Sequence, residues 1–168
     1  MERKLNLGCG DHLLKDFVNV DQSQFNGLKS SGYDIKVDNI IYLKYFENDS
    51  VDFIYSSHVL QCIDPRSKVT EALKNWYRVL KPKGQVIIEA PNIIPITKAY
   101  LEGKVKIETF IQGIYGVDKS GIRQFACFDF GYLQRLLEEV GFKNVKQIEQ
   151  PKYSRHDPNT NIVVEAWK

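Results

Sequence analysis

The chain has 168 residues, the usual size of one domain, which is ample for a single buried core and leaves little room for a second. Hydrophobic residues at 43% and charged residues at 26% exclude a disordered tail or a collagen-like repeat. A formal net charge of +2, with acids and bases intermixed, gives no field that would argue for nucleic acid or an anionic membrane as a partner.

Met1-Glu2-Arg3-Lys4 lead straight into Leu5-Asn6-Leu7, and no apolar run has the length of a leader or a membrane span, so a protein neither secreted nor inserted is expected. Cys9, Cys62 and Cys127 form no Cys-x-x-Cys pair, which argues against a disulfide framework or a zinc ribbon and for reduced thiols in a cytoplasmic protein. Short apolar runs alternate with segments of helical period, the pattern of an α/β fold with a mostly parallel sheet. Strands are predicted over residues 4–8, 18–21, 35–38, 51–56 and 85–90, with 144–149 and 162–167 completing the sheet. A helix over 67–80 carries Val69, Leu73, Trp76, Tyr77 and Leu80 on one face and is stopped by Lys81-Pro82-Lys83-Gly84. A second over 130–140 carries Leu133, Leu136, Leu137 and Val140, with Gly141 as its C-terminal cap. Only six residues separate Gly10 from Phe17, whereas a crossover between parallel strands takes about a dozen or more, so the first helix is expected to be vestigial and one face thinly covered near the first two strands.

The first strand ends in Gly8-Cys9-Gly10, a turn that lets backbone approach a ligand closely with amides pointing at it. A dinucleotide fingerprint adds a third glycine, a full helix N-terminus and an acid about 20 residues on. Here the third glycine is missing and Asp21 follows Gly10 by eleven residues, which suits a ligand without pyrophosphate. Asp21, at the tip of the second strand, is placed to accept hydrogen bonds from both hydroxyls of a ribose, and Asp38, at the tip of the third, from an adenine amino group. Either aspartate could instead serve as a local turn cap.

Leu5-Asn6-Leu7-Gly8-Cys9-Gly10, Phe17-Val18-Asn19-Val20-Asp21, residues 49–60 ending in Ser56-Ser57-His58-Val59-Leu60, and Trp76-Tyr77-Arg78-Val79-Leu80-Lys81-Pro82-Lys83-Gly84 succeed one another in an order that resembles class I S-adenosylmethionine-dependent methyltransferases, most of all the compact methyltransferase-domain proteins with the same brief first crossover. The resemblance continues through Ile114-Tyr115-Gly116 and residues 133–142. It implies a Rossmann-like sheet of seven strands with an antiparallel final hairpin, and S-adenosylmethionine as cofactor. It puts the methionine part of the cofactor on Gly8, Cys9 and Gly10, the ribose on Asp21, the adenine on Asp38, and the methyl group beside Ser56, Ser57 and His58. Relatives often carry an acid where this chain has Asn6, Glu-His where it has Gln61-Cys62, and a histidine where it has Gln124.

Methyl transfer is an in-line displacement that needs positioning and desolvation and no metal. His58 is the candidate general base, since a free histidine titrates near working pH; capping or packing the following turn is its bland alternative. His12 beside Asp11 reads equally as a local turn contact, and His156 in Arg155-His156-Asp157-Pro158 as solvated loop. Tyr100, Phe110, Tyr115, Phe125 and Phe128 among Gly103, Gly113, Gly116 and Gly121 form either a lid with aromatic walls or an ordinary helical cover. The expected activity is methyl transfer to a small-molecule or saccharide-type acceptor, at oxygen in preference to nitrogen. The replaced residues Asn6, Gln61, Cys62 and Gln124 favour a second hypothesis, a non-catalytic module that binds S-adenosylmethionine or a partner. A nicotinamide-dependent oxidoreductase, the third, is disfavoured by the missing glycine. The truncated front end adds the expectation of a homodimer in which a second subunit supplies cover.

Overall fold

The computed structural model describes residues 2–22, 34–64, 68–116 and 123–168. Among the described residues seven strands form one sheet: β1 (Lys4–Leu7), β2 (Val18–Asp21), β3 (Asp34–Val37), β4 (Val51–Ser57), β5 (Leu80–Pro91), β6 (Lys143–Gln147) and β7 (Asn161–Trp167). Their order is β3-β2-β1-β4-β5-β7-β6. β1 to β5 run parallel, and β7 lies antiparallel between β5 and β6. The chain order reverses between β1 and β4, so the carboxyl ends of β1, β2 and β4 meet at the crevice where open sheets of this kind bind ligands. Residues 22–33, where the sequence shows no strong helical period, lie almost wholly outside the described residues, as do Ser67 and Gly121.

Among the described residues four α-helices accompany the sheet: α1 (Val69–Val79), α2 (Ile93–Leu101), α3 (Ile107–Tyr115) and α4 (Phe130–Val140). α1 buries Val69, Ala72, Leu73, Trp76 and Val79, a stripe at helical spacing, and Trp76 Nε1 donates to the Ile40 carbonyl at 2.7 Å. α4 starts on Asp129, whose carboxylate accepts from Tyr132 N at 2.7 Å, and ends on Gly141 at φ 117°, the left-handed cap the sequence signals. β5 begins five residues before the predicted start. Lys81-Pro82-Lys83-Gly84 does end α1, but it then enters the sheet through an irregular pairing with β4, with Lys83 at φ 68°.

The two faces of the sheet are covered unequally. The main core, built on Leu5, Leu7, Ile54, Val86, Ile88 and Val164, is closed by α1 and α4. On the other face Leu14, Tyr55, Ile87 and Val163 are covered by Phe17, Ile148 and Tyr153, which belong to loops. No helix joins β1 to β2; the crossover is instead pinned by two buried amides. Asn19 Oδ1 accepts from Leu14 N at 2.8 Å and from Asn6 Nδ2 at 2.9 Å, and Asn6 Nδ2 also donates to the His12 carbonyl at 2.8 Å. Asn6 therefore acts as a donor, which the acid common at this position in relatives could not do as a carboxylate.

Candidate functional site

The glycine turn leaves β1 at the crevice. Gly8 is at φ 66°, and a Cβ there would lie 2.2 Å from Val59 Cγ2, so glycine is required both by the left-handed backbone and by the loop after β4 packed against it. Gly10, at φ 51°, would direct a Cβ into space where no heavy atom of the described residues lies within 4 Å. The turn amides do not point at a ligand as the sequence suggested. Gly8 N and Cys9 N both donate to the Val20 carbonyl, at 2.7 and 3.3 Å, because pairing with β2 continues past the end of β1. Gly10 N donates to Asp21 Oδ2 at 2.8 Å, which brings the two sequence signals, the glycine turn and the acid after β2, into direct contact. With its three amides engaged the turn offers little to a pyrophosphate. Burial, with Asp21 nearby, pushes the Cys9 thiol up to about 12, so it is not a nucleophile near neutrality.

Asp38 is buried and caps the loop that follows it: Oδ1 accepts from Asn39 N at 2.7 Å and Oδ2 from Tyr45 N at 3.2 Å. It lines a separate hollow of about 420 Å³ with Gln22, Asn39, Tyr42, Lys44 and Tyr45. Asp21 belongs to a tighter cavity of about 230 Å³ lined also by Asn6, Gly8, Cys9, Gly10, His12, Ser57, His58, Arg155 and His156. Two larger hollows, of about 560 and 620 Å³, lie at the opposite edge of the sheet, beside Lys4 and Val18 and beside Lys83 and Trp167. Ligands of open parallel sheets bind at the carboxyl ends of the strands, which favours the cavity beside Asp21 and the hollow beside Asp38 over the two larger ones.

The loop after β4 divides the expected pair of serines. Ser57 lines the cavity and donates its hydroxyl to Glu89 Oε2 at 2.9 Å, while Ser56 is turned into the interior, does not line the cavity, and has a buried hydroxyl with no partner among the described residues. His58 follows at φ 58°, a conformation uncommon outside glycine, and its backbone N donates to the Glu89 carbonyl at 2.9 Å. Its ring stacks on that of His156, with centroids 3.6 Å apart and planes 16° from parallel, and its Nε2 lies 2.8 Å from Asn161 Oδ1. Burial first and His156 second pull the His58 pKa down to about 4, well below the free value that made it attractive as a base. Burial, with Arg155 nearby, also lowers His12, and burial lowers His156.

All three histidines of the chain thus line one cavity, together with Arg155, which reaches Asp11 at 2.7 Å across the opening. His156 is no solvated loop residue: the chain between β6 and β7 folds back over the site. Glu89 anchors that loop. It is buried in β5 and accepts from Tyr55 and Ser57 hydroxyls at 2.7 and 2.9 Å through Oε2, and from Gln150 and Ser154 at 2.7 and 2.8 Å through Oε1. Burial alone would push this carboxyl up, but the four donors outweigh it and hold it below its ordinary value. The signal for Glu89 was present in the sequence, as a lone acid inside the apolar run Val86-Ile87-Ile88-Glu89-Ala90, where a buried charge demands partners.

The glycine-rich segment after β5 forms the hairpin of α2 and α3. Tyr100 stacks on Phe110 at 4.8 Å, and a Cβ on Gly113 would lie 2.9 Å from Ile96 Cγ1, so the helices meet closely there. Neither helix has a fully buried residue, and Leu101, Tyr115 and Phe125 are exposed. Phe128 is core, stacked on Tyr132, and is not a lid wall. Gln61 and Gln124 lie where the returning segment passes the loop after β4, with Phe125 N donating to the Gln61 carbonyl at 2.6 Å, and each has a buried carboxamide oxygen unpartnered among the described residues. Among the described residues no group of three His, Cys, Asp or Glu could hold a metal ion.

A family profile described as methyltransferase domain matches residues 5–88, from β1 through most of β5. No curated protein sequence matches the chain. Among solved structures, a SAM-dependent methyltransferase from Archaeoglobus fulgidus is similar over 99% of this chain and 86% of its own, with a TM-score of 0.67 and 17% identity. One from Thermotoga maritima, described as a possible histamine N-methyltransferase, is similar over 100% and 83%, with a TM-score of 0.67 and 17% identity. One from Methanosarcina mazei is similar over 99% and 92%, with a TM-score of 0.63 and 18% identity. At these identities the likeness is one of fold.

Proposed function

Because the chain belongs to the methyltransferase-domain family, we propose that it transfers the methyl group of S-adenosylmethionine to a small-molecule or saccharide-type acceptor, at oxygen in preference to nitrogen. The observation that carries this is the bond from Gly10 N to Asp21 Oδ2 in a cavity at the strand carboxyl ends. A carboxylate accepts several donors at once, so Asp21 is suited to bind ribose hydroxyls while holding the turn. The turn of Gly8, Cys9 and Gly10, whose backbone at Gly10 leaves room for close approach among the described residues, is the candidate for the methionine part of a ligand that lacks pyrophosphate. Asp38, which braces the loop beside the neighbouring hollow, is the candidate for the adenine end, with Ser57 and His58 on the methyl side and Ser56 behind them as support. S-adenosylmethionine supplies an electrophilic methyl on a sulfonium whose leaving group is already good. His12, Ser57, His58, Arg155 and His156 give the cavity a hydrogen-bonding lining, which favours a polar, hydroxyl-bearing acceptor. His58, neutral near pH 7, orients that acceptor and takes its proton.

The whole chain acts as one domain, since a single sheet takes in both its first and its last strands. Free Cys9, Cys62 and Cys127 support a cytoplasmic setting, and among the described residues no helix is long and apolar enough to cross a membrane. Neither nucleic acid nor membrane is a proposed partner. The non-catalytic reading is favoured by one observation, the low pKa of His58, which makes it a weak base.

The test is isothermal titration with S-adenosylmethionine and S-adenosylhomocysteine on the wild type and Asp21→Ala. The wild type should bind both, and loss of charged hydrogen bonds worth about 1.5–3 kcal/mol should weaken the variant at least about tenfold. A folded wild type that binds neither compound would end the enzyme reading. Product formation on a panel of hydroxyl and amine acceptors then separates the enzyme from the binding module.

A further inference from the structure

His58 is held from two sides, by His156 against its ring face and by Asn161 at Nε2. The orientation of the Asn161 amide follows from its other contact. Its second terminal atom lies 2.6 Å from the Asp157 carbonyl oxygen, which can only accept, so that atom is the NH2 group and the atom facing His58 is the oxygen. An amide oxygen also only accepts, so Nε2 of His58 carries a hydrogen. A neutral imidazole has one N–H, which leaves the lone pair on Nδ1. No described residue hydrogen-bonds Nδ1, and this atom is not among the buried ones left without a partner.

We propose that Asn161 is a positioning residue that fixes His58 as the Nε2–H tautomer and thereby reserves Nδ1 to accept the hydrogen bond of the methyl acceptor's hydroxyl or amine. The role, though not the tautomer, rests on the methyl-transfer reading. The surroundings keep the ring neutral: burial most of all, then His156, and least Arg155, oppose a positive charge, against the opposite pull of the Asn161 bond and of Glu89 on β5, with a resulting pKa of about 4. Such a base is weak, but it is sufficient for this step. As the acceptor oxygen bonds to the methyl carbon, the carbon–sulfur bond breaks and its electron pair stays on sulfur as a neutral thioether. The oxygen's proton, made strongly acidic by that bond, passes to Nδ1, while Nε2–H remains on Asn161. The imidazolium then releases the proton to solvent.

The experiment is long-range hydrogen–nitrogen NMR on the full chain labelled with 15N-histidine, with His58 assigned through His58→Asn and His12 as the internal control. At pH 7 the wild type should show one neutral His58 tautomer, protonated on Nε2. Asn161→Leu should give a mixture of tautomers at His58 and leave His12 unchanged. Asn161→Asp keeps the acceptor and adds a charge, so it should keep the tautomer and raise the His58 pKa by about one to three pH units. A wild-type ring protonated on Nδ1, or an Asn161→Leu spectrum like the wild type, overturns the assignment. If Asn161→Leu does not fold, an Asn161→Asp titration matching that of the wild type overturns it instead. Calorimetry with S-adenosylmethionine on the same samples separates the failures. A fixed Nε2–H tautomer without cofactor binding overturns the role in methyl transfer, and cofactor binding by an Nδ1–H ring overturns the tautomer alone.

Discussion

Protonating His58 should destabilise the fold by an amount the structure sets. The ring is neutral in the folded protein down to about pH 4, whereas in the unfolded chain it takes a proton near 6.5. Between those values the unfolded state binds more protons, so stability falls as the pH falls through this window and the penalty is absent above it. A drop from 6.5 to about 4, at about 1.36 kcal/mol for each pH unit, corresponds to about 3 kcal/mol lost across the window. The comparison is His58→Asn, since asparagine tolerates the left-handed backbone at φ 58° and cannot titrate. Urea unfolding of both proteins at half-unit steps from pH 7 to 4 gives two curves whose difference isolates His58, because His12, His156 and the carboxylates are common to both. The wild type should lose about 3 kcal/mol more than the variant. Parallel curves would refute the claim that burial and His156 keep the ring neutral.

Gly8→Ala places a methyl group 2.2 Å from Val59 Cγ2 in a left-handed backbone and should cost about 2–4 kcal/mol, whereas Gly10→Ala meets only the backbone penalty of about 1–2 kcal/mol; equal shifts in thermal melting would show that Val59 can give way. Asn6→Asp turns a buried double donor into an acceptor facing the His12 carbonyl and Asn19 Oδ1, and should cost about 1–3 kcal/mol in chemical denaturation; an unchanged midpoint would mean the crossover is not held by this amide. The exposed apolar side chains of α2 and α3, among them Ile94, Leu101 and Ile111, are where a second subunit should find cover, so sedimentation should show a dimer that Leu101→Lys weakens; a monomer at every concentration removes the dimer.

Signals local to the sequence carried the fold a long way, and they failed where the information is long-range. β2 and α4 fall where they were predicted because an apolar run and a cap are local facts. The start of β5 was missed because Pro82 and Gly84 mark a helix stop without saying that the chain enters the sheet at once. That Gly10 and Asp21 lie near one another was legible, since both follow the ends of adjacent parallel strands; the bond between them was not. His156, Arg155 and Asn161 were not. Arg155-His156-Asp157-Pro158 has the composition of a solvated turn, and only the placement of β7 between β5 and β6 sets it over the ends of β1 and β4. The direction of the turn amides was likewise a matter of pairing with β2 rather than of glycine content.

The loop that completes the site is anchored unevenly, and the inequality bears on how a ligand enters. At its base Gln150 and Ser154 hydrogen-bond Glu89, a carboxylate shut away from water, and Tyr153 packs edge-on against Tyr55 at 4.7 Å and Phe17 at 5.8 Å. Detaching that base strands a buried charge and its donors, at a cost of about 1–3 kcal/mol for each polar group left unsatisfied. At its tip the tie to the glycine turn is Arg155 to Asp11, with side chains 49% and 73% exposed, and a pair so open to solvent contributes about 1 kcal/mol or less. The tip can therefore part from the glycine turn while the base stays in place. Opening there uncovers the cavity beside Gly10 and Asp21, yet Asn161 stays at the start of β7 with its hold on His58, so access and the orientation of the imidazole are governed by separate contacts.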